Sequence, residues 1–247
     1  MYPKLILCKH LRRHHRIEPK TEHNEYNNTE KSHDLYLLYH TALLYNSARM
    51  EWDNRFMTLI KDAVVRFHEQ PTLAPAAFFL PNECDFLAEI GYKPAEMHAY
   101  IRDYATLGTP SPSTILLIAA TRRCFFITSQ RGIFGNAKPI TEEDLPAEEE
   151  DFQEIKYLPR IMRKAEAKLH GTLGDDLMFY CAKDREFLRT HGDIHPADFL
   201  HLTWASHGDR QRMITAVINA INAARKKNPA RKMPTVPREV QRELPLE

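Results

Sequence analysis

The chain has 247 residues, of which 43% are hydrophobic and 27% are charged, and its formal net charge is +1. This composition is ordinary for a globular protein, and so small a net charge gives no general attraction to nucleic acid or to anionic membranes. No apolar run approaches the roughly 18 residues of a membrane span, and the first residues lack the pattern of a secretory signal. We therefore expect a cytoplasmic protein.

The four cysteines, at positions 8, 84, 124 and 181, are far apart and form no CxxC pair. Their scatter argues against a disulfide framework and against a zinc ribbon. The sequence also lacks the motifs of phosphate-binding loops, dinucleotide sites, zinc proteases and serine hydrolases. It therefore predicts no metal and no cofactor, and it identifies no catalytic residue.

The N-terminal residues 1–49 are polar and rich in His, Asn, Glu and Lys, which predicts a mobile arm. An extra helix around residues 35–45 is an option, and a true translation start at Met50 is an alternative. The C-terminal residues 225–247 are basic and contain proline, so they predict a second mobile segment.

One helical pattern occurs twice, about a hundred residues apart. Residues 86–97 read FLAEIG followed by PAEM, and residues 187–199 read FLRTHG followed by PADF. This repeat predicts an all-α fold of two similar helical units, at 50–137 and 155–224, joined by an acidic linker at 138–154. Eight acidic residues and two prolines should keep the linker in solvent.

Within both units the repeat predicts matching packing roles. Phe86 and Phe187 should lie in the core, beside Leu87 and Leu188. Residues 114–130 fit either two strands or one helix. The helix is favoured, because no Gly, Asn or Asp marks a turn and because a serine at 111 and a proline at 112 are typical of a helix start.

A further set of residues is shared with a known family. They are Tyr157-Leu158-Pro159-Arg160, Lys164-Ala165, Ala167-Lys168, Gly171-Thr172-Leu173-Gly174, Asp184-Arg185, Phe187-Leu188 and Gly192. Through them the stretch 156–221 resembles the bacterial domain-of-unknown-function family 5069. More weakly, residues 50–135 resemble the N-terminal half of its longer members, through Phe86-Leu87, Ile90-Gly91-Tyr92 and Arg122-Arg123-Cys124-Phe125-Phe126. The family has no established activity, so the resemblance supports the fold and leaves the function open.

A basic stripe runs along the helix predicted at 157–170. Its members are spaced by four residues, at Lys156, Arg160, Lys164 and Lys168, with Arg163 alongside. Such a stripe can grip a phosphate or a carboxylate, whereas the alternative is a solvated helix face whose stems lie on the core. The candidate ligand-binding set comprises Arg160, Arg163, Lys164, Lys168, Asp184 and Arg185.

Cys181, Asp184, His191 and His195 are a second candidate set, since thiolate, carboxylate and imidazole groups suit zinc or iron. A glycine at 192 and a proline at 196 interrupt the helix that would align the two histidines. We therefore interpret His191 as a helix end, His195 as the residue before a helix start, and Asp184 as a helix cap.

These patterns favour a non-catalytic protein whose partner is an anionic small molecule or another protein. The alternative is an enzyme that acts on an anionic small molecule in a cleft between the units. Nucleic-acid binding through the basic stripe and residues 225–232 is less favoured. An enzyme requires the candidate side chains to converge on one concave pocket, whereas an interaction protein leaves them spread over a convex face.

Overall fold

The computed structural model describes residues 51–227. The predicted arm at 1–49 and nearly all of the predicted tail at 225–247 lie outside the described residues. The described part is mostly helical and packs as one compact unit, so the helical class is confirmed. None of its helices combines the length and the apolar character that crossing a bilayer would need.

Five helices occupy the first half of this unit. They are α1 at residues 51–69, α2 Pro75–Phe78, α3 Pro81–Glu89, α4 Pro94–Leu107 and α5 Pro112–Thr128. The helices α2 to α5 each begin with proline, which is accepted at the first helical position because that N–H has no partner within the helix. The Ser111 Oγ accepts a hydrogen bond from the Thr114 N–H at 3.2 Å, which confirms the helix prediction for α5.

The segment 138–154 is not simply a solvated linker. It contains a 3₁₀ helix, Glu142–Asp144, and strand β1, Asp151–Phe152, which pairs in antiparallel register with β2, Ile155–Lys156. The expectation of a solvent-exposed segment is wrong for Ile140 and Leu145, which are buried. The reason is that these two apolar side chains join the hydrophobic core, while most of the acids between and after them stay at the surface.

Four helices form the second half, namely α6 Leu158–His170, α7 Ala182–Thr190, α8 Pro196–Ser206 and α9 Arg210–Lys227. Helix α6 packs against α5, α8 and β1, while α5 also packs against α8. Gly171 ends α6 with a φ of 69°, a left-handed conformation that favours glycine. Several sides of α6 are therefore covered by other elements.

The hydrophobic core is continuous from α1 to α9. Phe86 and Phe187 are only 4% and 5% exposed, and Leu87 and Leu188 are buried beside them, so these packing predictions are confirmed. Residues of both halves and of the segment 138–154 belong to the same cluster. The predicted division into two units with a linker is not confirmed.

Candidate functional site

The basic stripe is mostly inside the protein. Arg160 is 7% exposed, Lys164 4% and Lys168 0%, whereas Arg163 lies at the surface. The alternative of a solvated face is therefore wrong for the three buried cations. They are buried because neighbouring elements cover the side of α6 that carries them. The spacing of residues along one helix does not show that other elements cover this side.

Lys164 is paired with Asp184. Its ammonium lies 2.6 Å from the Asp184 carboxylate and 3.3 Å from the Cys181 sulfur. The same carboxylate accepts hydrogen bonds from the Tyr157 hydroxyl at 2.8 Å and from the backbone N–H groups of Tyr180 and Cys181. The last two bonds satisfy donors at the start of α7, where Cys181 is the N-cap residue and Asp184 is the third residue of a capping box. Asp184 therefore caps α7, but from inside the helix and not from the N-cap position.

The arginines of the predicted set also have partners. Arg160 donates to the Pro146 carbonyl at 2.8 Å and forms an ion pair with Glu142. Arg185 donates to the Tyr180 carbonyl at 3.0 Å and lies 3.3 Å from Asp103 on α4.

Arg163 is the member of the predicted set that lies at the surface. It is 3.6 Å from Glu166, and it lines a hollow of about 160 Å³ together with Met162 and Arg210. The other five members do not line that hollow, so the set does not converge on it.

Among residues 51–227, no three His, Cys, Asp or Glu side chains are placed to hold a metal ion together. His195 directly precedes α8, where its Nδ1 accepts a hydrogen bond from the Ala197 N–H at 3.2 Å. His191 lies at the end of α7, with Nδ1 2.9 Å from the Phe187 carbonyl. Both histidines thus occupy the helix-end positions predicted for them.

Lys168 is fully buried and forms an ion pair with Glu96 of α4, which is itself almost fully buried. Its ammonium stands 3.7 Å from the centre of the Tyr92 ring and 5.1 Å from that of Tyr100. Burial lowers the pKa of Lys168 to about 8, although the Glu96 carboxylate opposes the change by raising it. The environment therefore tolerates this positive charge less well than water does.

The free energy of unfolding should rise between pH 8 and pH 10. In this range the unfolded chain keeps the Lys168 proton, whereas the folded protein releases it, so added base favours the folded state. The slope from this group is at most about 1.4 kcal/mol per pH unit. Urea titrations at several pH values should show the rise in the natural protein and a flatter profile in the Lys168→Met variant. Equal profiles in the two proteins would contradict the assignment.

Arg122 of α5 is fully buried in the same region. Its Nη1 donates to the Gln130 Oε1 at 2.6 Å, and the Gln130 Nε2 donates to the His170 carbonyl at 3.2 Å. The Nε and Nη2 of Arg122 have no hydrogen-bond partner among residues 51–227. Glu96 and Lys168 are near enough for the charge of Arg122 to act on both.

Aromatic rings and one glycine shape the space around this guanidinium. Its central carbon lies 5.1 Å from the centre of the Phe126 ring and 6.0 Å from that of Phe134. A Cβ added to Gly171 would stand 2.6 Å from the Arg122 Nη2. Gly171 therefore has two functions, since its left-handed conformation ends α6 and its missing side chain leaves room for Arg122.

Tyr92 provides another buried donor without a partner. Its hydroxyl has no hydrogen-bond partner among residues 51–227. Burial raises the pKa of Tyr92 well above its usual value, with a further increase from Glu96, so the hydroxyl keeps its proton at neutral pH. Because the charge of Arg122 also acts on Tyr92, the two groups share one electrostatic environment.

In the sequence, Arg122 was singled out only by the family resemblance. Its spacing from apolar residues of α5 also indicates that it is buried. Arg122 follows Ile115, Ile118 and Ala119 at spacings of seven, four and three residues, so it lies on the buried stripe of α5. A charged residue on an apolar stripe indicates either a buried ion pair or a ligand contact.

Comparison of the chain with protein-family models, with curated proteins and with solved structures found no match in any of the three. The geometry of the described residues is therefore what supports an interpretation of function.

Proposed function

We propose that this protein is a non-catalytic binding protein for a small anion, and that Arg122 is the centre of its site. The observation that carries the proposal is a fully buried guanidinium whose Nε and Nη2 lack partners among the described residues. A buried donor without an acceptor is destabilising, and the penalty is larger for a charged group. An anion supplies acceptors and compensating charge together.

Lys168 supports this site without needing to touch the ligand. Arg122 and Lys168 carry two positive charges, and Glu96 is the acid that acts on both. One excess positive charge therefore remains in a region shielded from water, where electrostatic attraction is strong. The other predicted side chains of α6 and α7 have acids or carbonyls of their own, so they act mainly in the fold.

The finer architecture is also a proposal. We infer that the two halves of the described chain are variants of one helical plan, as the resemblance to family 5069 also implies. In support, Arg66 on α1 pairs with Glu83 on α3 at 2.9 Å, while Lys164 on α6 pairs with Asp184 on α7. Glu83 lies three residues before Phe86, and Asp184 lies three residues before Phe187.

The anion-binding proposal predicts a saturable rise in melting temperature with at least one of acetate, sulfate and phosphate. Sodium chloride should hold the ionic strength constant, because unspecific salt effects do not saturate. A ligand that binds the folded state stabilises it by RT ln(1 + [L]/Kd), so the titration yields an affinity. Arg122→Gln should abolish the rise.

Arg123→Gln is the matched control. Arg123 is next in sequence and only partly buried, and its guanidinium lies 5.0 Å from the Trp52 ring. This variant should keep the rise seen with the natural protein. Equilibrium dialysis of labelled acetate and phosphate against the natural protein needs no variant. If neither measurement detects saturable binding, or if Arg122→Gln keeps it, the proposal is wrong.

A further inference from the structure

We infer that the anion at Arg122 is the carboxylate of a small apolar monocarboxylic acid. This inference rests on the proposed function and specifies its ligand class. It draws on four features of the described residues: the edge of the guanidinium that is free, the third donor nearby, the net charge of the cluster and the nature of its walls.

The free edge of the guanidinium is complementary in geometry to a carboxylate. Nη1 donates to the Gln130 side-chain oxygen. The Gln130 amide is fixed in place, because its nitrogen donates to the His170 carbonyl. The remaining donors, Nε and Nη2, lie on one side of a planar group and point in nearly parallel directions. Two parallel N–H groups match the two oxygens of a carboxylate in a bidentate pair.

Tyr92 adds a third hydrogen-bond donor to the site. Its hydroxyl lacks a partner among residues 51–227, and its ring centre lies 3.7 Å from the Lys168 ammonium of the same cluster. A carboxylate has about four lone-pair positions, so it can accept from Nε, Nη2 and this hydroxyl at once. A neutral ligand with its own N–H or O–H groups would leave some of these donors unsatisfied.

The charge of the cluster favours a single negative charge. Arg122 and Lys168 are opposed by Glu96, which leaves one positive charge to neutralise. Dianions such as sulfate or a dicarboxylate would bring a second charge toward the Glu96 carboxylate in a poorly solvated space. A monocarboxylate balances the cluster.

The aromatic rings beside the guanidinium fit an apolar acid. Phe126 and Phe134 lie beside each other, with ring centres 5.0 Å apart, on one side of the guanidinium. Phe134 belongs to the stretch 131–139, which has no helix or strand and is exposed apart from Phe134 itself. A Cβ added to Gly132 or Gly135 would meet no atom of residues 51–227 within 4 Å, so the described residues do not crowd the backbone on either side of Phe134. Phe134, whose ring lies beside the guanidinium, would contact the apolar part of the ligand.

The experiment compares sodium acetate and propionate with sulfate, phosphate and malonate at pH 7 and constant ionic strength, with Kd taken from thermal titrations. Acetate and propionate should bind at least tenfold more tightly than the three other anions. Tyr92→Phe should weaken acetate binding about tenfold, because a hydrogen bond to a charged acceptor is lost. Tyr104→Phe on α4 is the control and should leave acetate binding unchanged. Arg122→Lys should keep a positive charge but lose the preference for carboxylates.

The possible outcomes separate this inference from the proposal on which it rests. Sulfate or phosphate binding as tightly as acetate, with dependence on Arg122, would overturn the monocarboxylate class and leave the anion site in place. No Arg122-dependent binding of any anion would overturn both. If Arg122→Lys does not fold, Tyr92→Phe decides the geometry, since it removes only a hydroxyl that has no hydrogen-bond partner among residues 51–227. Unchanged acetate affinity in that variant would contradict the proposed contacts.

Discussion

Replacement of Lys168 by Met should lower the free energy of unfolding by about 3–5 kcal/mol, as expected when one partner of a buried ion pair is removed. Lys168 is fully buried and Glu96 nearly so, and the variant leaves the Glu96 carboxylate without its ammonium. Arg122 acts on Glu96 only from a distance and does not replace the lost contact. Urea unfolding followed by circular dichroism measures the change.

The loss should be reversible by a second substitution. The double variant Lys168→Met, Glu96→Leu replaces the pair with apolar groups and should recover most of the lost stability. A double variant as unstable as the single one would show that packing, and not charge, causes the loss.

Lys183→Met is the matched control. Lys183 also forms an ion pair, with Glu148, but its side chain is 62% exposed. Exposed pairs contribute little, because water solvates both charges whether or not they meet. The control should therefore unfold at nearly the same urea concentration as the natural protein. A large loss in the control would contradict the role assigned to burial.

Local patterns in the sequence predicted the helices well. The cap at Ser111, the prolines at helix starts and the stop at Gly171 depend on interactions within a few residues, so they can be read directly. The apolar repeat likewise placed Phe86 and Phe187 in the core. These features need no knowledge of how distant elements pack.

The candidate site was less predictable, because its contacts join distant positions. Lys168 and Glu96 are 72 residues apart, and Arg122 approaches Gly171 across 49 positions. The four-residue spacing on α6 showed that its cations share a face, but not that other elements bury this face. The burial of Ile140 and Leu145 was not predicted either, because it depends on contacts with distant elements. The acids and prolines around them are typical of a solvent-exposed segment.

Replacement of Phe187 by Ala should lower the free energy of unfolding by about 3–5 kcal/mol, through lost transfer energy and the cavity left behind. Phe187 packs against Tyr157 and His191, with ring centres 5.8 and 4.2 Å away. Because the hydrophobic core runs from α1 to α9, we expect the described unit to unfold in one transition, and the damage to reach the first half as well.

The two tryptophans of the chain, Trp52 on α1 and Trp204 on α8, can test this cooperativity separately. In Trp204→Phe and Trp52→Phe backgrounds, the fluorescence of the remaining tryptophan reports the first or the second half. Phe187→Ala should shift both signals to the same lower midpoint, and Phe86→Ala should do so too. If Phe187→Ala shifts the Trp204 signal alone, the halves unfold independently and the two-unit organisation predicted from the repeat is correct. Coincident shifts mean that α5, packed on both α6 and α8, couples the halves into one folding unit.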